Sequence, residues 1–513
     1  MIKNIKTFLE NWGLHSFLLP IFFVLHHYNQ YYGLVSSAVA IKTLLQIYIF
    51  FLLFFLLLRL LIRNLNKDLL LTTLIGAILL FFGAIKDFLQ LTLDLRFISR
   101  YVVLLPLILI ITIVLVRSIL RMNDQKKSNF FLNTLLIIFL LVEGSMLINF
   151  NQSFFLPKNL LTKSFPVNTD SLPDSPTKPD VYYLVFDSYP GTLFLKKYMD
   201  YDNSSFNEEL EKRGFHVIKD PKSNYNRTAF SLASTLNFEY LKDIVNNTKI
   251  SPKYYNRAKL TIKYSAVTDI FRHYNYKFFN LSVFDFDKAP SIRRENFLLM
   301  PEKNVLLYNT LPERLKNDLF WNLLVGKYAV PALQKFFARN TSEFEFAETG
   351  RRNFNNTVID SVMKISSQNN AAPEFIYAHL YLPHPPFFYD ENGKENDFKY
   401  VIGEESQKNK ELFISYLKYT NKIILGITDK IINNHGNNSV VILQSDHGFR
   451  DYEGGPSFPE TFFKNYSAFY FPDRNYAAFY DTLSNVNTFP ILFNKYFNTR
   501  FALQKDTTVF LPY

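Results

Sequence analysis

The sequence predicts two unlike parts: a bundle of five membrane-spanning helices over residues 1–150, and an α/β domain with a mostly parallel central sheet over 180–513. Three observations lead there. Long apolar runs fill the first 150 residues, a proline-rich stretch follows within 151–179, and β-prone runs then alternate with helical patterns. Charge follows the same division. Residues 1–150 carry 13 Lys and Arg against 6 Asp and Glu, whereas the remaining 363 residues carry 43 against 39. The chain's formal charge of +11 is therefore concentrated between apolar runs, which favours membrane topology over nucleic-acid binding.

A membrane-crossing helix needs about 20 mainly apolar residues for about 30 Å of hydrocarbon. Five stretches qualify, at 14–36, 40–62, 69–92, 101–121 and 129–149. Pro20 and the His26–His27 pair interrupt the first, while Trp12, Tyr28, Tyr31 and Tyr32 suit interfacial belts. Lys3, Lys6, Arg59, Arg63, Lys67, Arg117, Arg121, Lys126 and Lys127 lie on one side of these helices. The other side has Lys42, then Lys86, Arg96 and Arg100 mixed with Asp87 and Asp94. That imbalance places the N-terminus inside and everything after Asn149 outside, with the first helix read as an anchor. Glu143 stands out in the fifth run, within about 10 Å of its end at 1.5 Å per residue. It is read as an interfacial group or as the partner of a neighbouring helix.

Ser164–Pro179 holds four prolines and small polar residues, and reads as an extended connector. Val181–Phe186 is a continuous apolar run ending at Asp187, the pattern of a buried parallel strand. Ser204–Arg213 reads as helix, Phe215–Ile218, Lys277–Leu281 and Glu374–Leu382 as strands, and Glu405–Asn433 as a long helix. Val440–Gln444 and Ser467–Phe471 complete the strands. Ligands of such sheets bind at the carboxyl ends of the strands. Asp187, His384 and the Asp446–His447 pair all follow strand ends.

Ser445-Asp-His-Gly448 offers one hard oxygen and one imidazole, suited to zinc, manganese or magnesium; three letters also fit an ordinary polar turn. Asp187 suits either the mouth of the sheet or a helix N-cap. Thr228 opens a helix-prone run and fits either an N-cap or a hydroxyl facing an anionic phosphate. His379 lies an odd number of residues from His384, on the opposite strand face, and reads as a core histidine.

The order Asp187, Thr228-Ala-Phe-Ser, His384 in Leu382-Pro-His-Pro-Pro386, and Ser445-Asp-His-Gly448 resembles the alkaline phosphatase/sulfatase superfamily. It looks closest to the membrane-anchored branch of lipoteichoic acid synthases, phosphoglycerol transferases and lipid A phosphoethanolamine transferases. Phe489, in Val486-Asn-Thr-Phe-Pro490, lies in a C-terminal segment similar to that of sulfatase-like membrane proteins. The resemblance implies an alkaline phosphatase-like sandwich whose Thr228 is both nucleophile and metal ligand. Asp187, Asp446 and His447 would complete a site for one divalent cation, Zn, Mn or Mg. His384 would face the phosphoryl group as donor or leaving-group acid, and Arg227, by adjacency, would contact substrate oxygens.

The chain also departs from that pattern. It has no cysteine and no serine in the Cys/Ser-x-Pro-x-Arg context that sulfatases convert to formylglycine, so sulfate-ester chemistry is disfavoured. His447 is its last histidine, which speaks for one metal rather than two, and no disulfides stitch the outer domain. The expected activity is phosphotransfer or phosphodiester cleavage on phospholipid head groups at the outer face of the cytoplasmic membrane. A glycan or lipid would be the acceptor, and nucleic acid is not an expected partner. Alternatives are a hydrolase of soluble phosphate or sulfate esters, or a catalytically silent envelope scaffold.

Overall fold

The computed structural model describes residues 2–512 except 33–34, 155–159, 163–167, 176, 251, 293–301, 317, 319–341, 369–371, 397–408 and 450–458. Parts of the connector and the expected helix start at Glu405 lie outside the described residues. The chain forms two compact units: Met1–Leu156 with Leu298–Gln334, and Pro157–Phe297 with Lys335–Tyr513.

The first unit contains helices α1 (Ile2–Asn11), α2 (His15–Gln30), α3 (Ser37–Ile62), α4 (Leu65–Asp87), α5 (Tyr101–Arg121) and α6 (Lys126–Phe154). Four spans are long and apolar enough to cross a membrane: Ser37–Ile62, Leu65–Gln90, Tyr101–Arg121 and Lys126–Ile148. The helix pair Asn4–Asn11 and His15–Gln30 passes the same test only when taken together, and it is bent by 89° at the break. The break falls at Gly13, ahead of Pro20, where a Cβ would stand 2.8 Å from the Leu69 side chain. Glu143 of α6 accepts from Asn29 Nδ2 at 2.7 Å and lies 2.6 Å from His26 Nδ1, both on α2. The carboxylate is thus paired across two helices, as polar groups in apolar surroundings must be.

Residues 302–316 group with these helices. Short helices α12 (Glu302–Leu307) and α13 (Leu311–Leu315) account for this. Leu306 is fully buried in one cluster with Leu19, Phe23 and Leu80. Arg314 is bonded to Asp87, and the Gly83 amide donates to the Asn309 carbonyl at 2.7 Å. A period of apolar residues cannot tell which unit it will pack against.

The second unit is built on a six-stranded sheet: β1 (Asp180–Phe186), β2 (His216–Val217), β3 (Lys277–Leu281), β4 (Glu374–Leu380), β5 (Ser439–Gln444) and β6 (Ser467–Tyr470). Their spatial order is β2-β6-β5-β1-β4-β3. β3, β4, β1 and β5 run parallel; β6 and β2 complete one edge antiparallel. Helices α7 (Thr192–Tyr198), α8 (Ser204–Lys212), α9 (Thr228–Thr235), α10 (Pro252–Lys263), α11 (Ala266–His273), α14 (Ser342–Ile365), α15 (Lys410–His435) and α16 (Thr488–Tyr496) belong to this unit.

β1 is the pivot. Six of its seven residues are buried, as expected of a central strand with helices on both faces. Tyr183 stacks with Tyr377 and meets Phe489 edge-on at 5.2 Å, so Phe489 serves the core through α16. Register pairs Phe186 with Leu380 and Val185 with Gln444, which brings the carboxyl ends of β1, β4 and β5 level. The described parts of the connector dock on this unit. Tyr274 Oη donates to the Pro173 carbonyl at 2.7 Å, and Tyr276 Oη to that of Pro179 at 2.8 Å.

Candidate metal and phosphoryl-transfer centre

Asp187 follows β1 directly, and Ser188 after it adopts a left-handed backbone with φ 61°. Few non-glycine residues do so without a structural reason. Here the turn sends the Ser188 amide onto Asp446 Oδ1 (3.2 Å) and the Tyr189 amide onto Ser445 Oγ (2.9 Å), stapling the ends of β1 and β5. Asp187 is no helix cap: α7 begins five residues on, with Gly191 at its N-cap. Its Oδ1 accepts from Ser188 Oγ at 3.0 Å.

After β5 the chain passes through Asp446 and His447, both buried. Gly448 allows a close backbone approach there. A Cβ at that position would lie 2.7 Å from the Thr461 carbonyl oxygen and 2.8 Å from that of Lys464. His447 Nδ1 stands 2.9 Å from the Gly448 carbonyl, which can only accept, so the ring carries its proton on Nδ1. In that tautomer the Nε2 lone pair faces Asp446 Oδ2 at 3.3 Å and Asp187 Oδ1 at 3.7 Å.

Thr228 is the first residue of α9 rather than its cap; Arg227 holds the N-cap position in extended conformation, without a side-chain cap bond. Thr228 Oγ1 lies 3.3 Å from His447 Nε2. Arg227 is turned elsewhere in part: one guanidinium nitrogen bonds the Pro512 carbonyl. His384 rests edge-on to Tyr381, its Nδ1 2.5 Å from the Pro385 carbonyl.

Electrostatics join these residues. Burial alone would raise the Asp187 carboxyl, but the imidazoles of His384, His379 and His447 outweigh it and hold Asp187 well below the usual carboxylate range. Asp446 is pushed up to about 6, by burial first and then by the charge of Asp187. Ligand atoms from Asp187, Asp446 and His447 lie within 4.8 Å of one another. Asp446 Oδ2 is buried and has no hydrogen-bond partner among the described residues. Two carboxylates and an imidazole lone pair converging in a buried pocket repel one another unless a cation lies between them, so the donor set fits a divalent metal.

The structure therefore brings five of the expected residues, Asp187, Thr228, His384, Asp446 and His447, to one mouth of the sheet. It also adds one. His379 was expected in the core facing away, and it is fully buried, yet its Nε2 lies 3.7 Å from Asp187 Oδ2. The alternation argument fails because β4 ends at Leu380, so strand periodicity does not extend to His384.

Residues 210–492, more than half of the chain and inclusive of Thr228, His384, Asp446 and His447, match the family model described as Sulfatase. The chain belongs to the sulfatase family. It is a sulfatase-like enzyme. No curated protein matches this sulfatase-family chain. Among solved structures it is similar to the C-terminal periplasmic domain of phosphoethanolamine transferase EptC from Campylobacter jejuni, at 16% identity over 64% of this chain and 92% of that one, with a TM-score of 0.34. The soluble domain of lipooligosaccharide phosphoethanolamine transferase A from Neisseria meningitidis gives 14% identity, 63% and 90% coverage, and 0.35. The phosphonate monoester hydrolase of Agrobacterium radiobacter gives 12%, 62% and 73%, and 0.35.

Proposed function

We propose that this sulfatase-family chain is a membrane-bound, metal-dependent phosphotransferase or phosphodiesterase acting on phospholipid head groups at the outer face of the cytoplasmic membrane. The observation that carries the reading is the approach of Thr228 Oγ1 to His447 Nε2, beside two buried carboxylates. Asp187, Asp446, His447 and Thr228 would hold one divalent cation. When bound, it supplies positive charge against phosphoryl oxygens and favours the ionised hydroxyl.

The side chains divide the remaining work. Thr228 Oγ attacks phosphorus, its proton passing to solvent, and the bond from phosphorus to the diacylglycerol oxygen breaks. His384 would protonate that leaving oxygen. A hydroxyl of a glycan or lipid, or water, would then give its proton to His384 and attack the phospho-threonine, and the bond from phosphorus to Thr228 Oγ would break, freeing Thr228. The position of Thr228 at the start of α9 adds the partial positive charge of a helix N-terminus to the phosphoryl group. Apolar helices in the same chain suit a donor that resides in a bilayer.

The test is turnover of phospholipid in detergent micelles by full-length protein. Thr228→Ala is expected to release no diacylglycerol while keeping its thermal midpoint. Wild-type rates in that variant would remove the nucleophile assignment.

A further inference from the structure

His379 occupies an environment that burial alone does not account for. It is 0% exposed, and neither ring nitrogen has a hydrogen-bond partner among the described residues. An interior donor left unmade is costly, and native proteins rarely carry one without use. The ring is also clamped. It stacks on Tyr381 at 5.2 Å and 23°, and on Phe284 at 6.4 Å and 25°, which fixes the plane in which Nε2 points. Asp187 Oδ2 lies 3.7 Å from Nε2.

The two oxygens of Asp187 face different partners. Oδ1 looks toward His447 Nε2 at 3.7 Å and accepts from Ser188, whereas Oδ2 looks toward His379. The ligand atoms that converge within 4.8 Å come from Asp187, Asp446 and His447 among the described residues; His379 is not one of them. Its ring therefore sits behind the carboxylate rather than beside the cation position. A carboxylate that binds a metal through one oxygen is commonly fixed by a hydrogen bond to the other.

We propose that His379 is the positioning residue for Asp187. Its Nε2–H donates to Asp187 Oδ2 and holds Oδ1 toward Asp446 and His447. A shift of under an ångström from 3.7 Å brings the pair to hydrogen-bond length. The inference rests on the reading of Asp187, Asp446 and His447 as a cation site.

Metal affinity tests it directly. Full-length protein in detergent micelles is stripped with EDTA and titrated calorimetrically with Zn2+, and separately with Mn2+, as wild type, His379→Gln and His379→Asn. The glutamine amide reaches about as far as Nε2, and the asparagine amide stops one methylene short. The glutamine variant is expected within about threefold of wild type, and the asparagine variant about 10- to 100-fold weaker. Excess cation restores turnover in the asparagine variant. Equal affinity in all three proteins overturns the proposal and returns His379 to the core.

If the asparagine variant does not fold, His379→Phe serves instead. It keeps the stacking between Phe284 and Tyr381 and lacks the donor. A metal-induced rise in thermal midpoint as large as that of wild type overturns the proposal; a reduced rise beside a full rise in His379→Gln supports it. Wild type that binds neither metal overturns both this inference and the cation-site reading. Wild-type binding that is insensitive to position 379 overturns this inference alone.

Discussion

Ser231 Oγ donates to the main-chain carbonyl of Asp446 at 2.6 Å, tying the first turn of α9 to the end of β5. Ser231 is fully buried and lies three residues after Thr228, so this bond sets the hydroxyl's distance from the carboxylates. Ser231→Ala leaves a buried carbonyl unpaired, a loss of about 1–3 kcal/mol. The expected result is a lower thermal midpoint and a kcat reduced about tenfold with KM nearly constant, because nucleophile placement rather than substrate affinity is disturbed. Steady-state kinetics on detergent-solubilised lipid checks it.

Asp446→Asn is expected to separate two effects of one carboxylate. Removing the charge relieves its repulsion with Asp187, so the metal-free variant melts above metal-free wild type. The same change removes a ligand, so added Zn2+ or Mn2+ raises the midpoint of wild type and not of the variant. Melting curves with and without EDTA report both. A metal-dependent rise in the variant equal to that of wild type would contradict the assignment of Asp446.

Gly448→Ala places a methyl group 2.7–2.8 Å from two carbonyl oxygens, on Thr461 and Lys464. Backbone on both sides cannot swing away like a flexible side chain. The expected cost is about 1–3 kcal/mol, with His447 displaced and turnover lost. The midpoint and the metal-titration curve measure the two consequences.

In the other unit, Gly83 and Arg314 act as one device. A Cβ on Gly83 would fall 2.5 Å from Arg314 Nε and 2.8 Å from Asn309 Cα. Arg314 is bonded to Asp87, and His27 Nε2 lies 3.0 Å from Asn309 Nδ2. Gly83→Ala and Arg314→Ala are each expected to lower the melting temperature in micelles. Their combination is expected to cost little more than the worse single variant, because both disrupt the same contact.

Much of the second unit was legible because its chemistry is written at strand ends. Val181–Phe186 and Val440–Leu443 are unbroken apolar runs that stop at Asp187 and just before Gln444-Ser445-Asp446-His447, and both lie in strands of the parallel core. Thr228 was legible as a helix start, although it proved the first helical residue and not a cap. His379 is buried as expected, but its approach to Asp187 was not legible, because which segments lie side by side is set by interstrand register. The pairing of Val185 with His379 is a property of two chain segments at once, invisible in either. The same holds for Leu306 and Arg314, whose side chains suit many surfaces until a partner such as Leu80 or Asp87 is present. The 89° bend after Asn11 was not anticipated either, since an apolar stretch carries no signal of direction.

The central claim is that Thr228 carries the phosphoryl group between donor and acceptor. Full-length protein, loaded with Zn2+ or Mn2+, is quenched in acid during turnover of head-group-labelled phospholipid and digested for tandem mass spectrometry. The expected result is a labelled phospho-adduct on Thr228, absent from Thr228→Ala. Turnover with no adduct on Thr228, or an adduct on another residue, would contradict it.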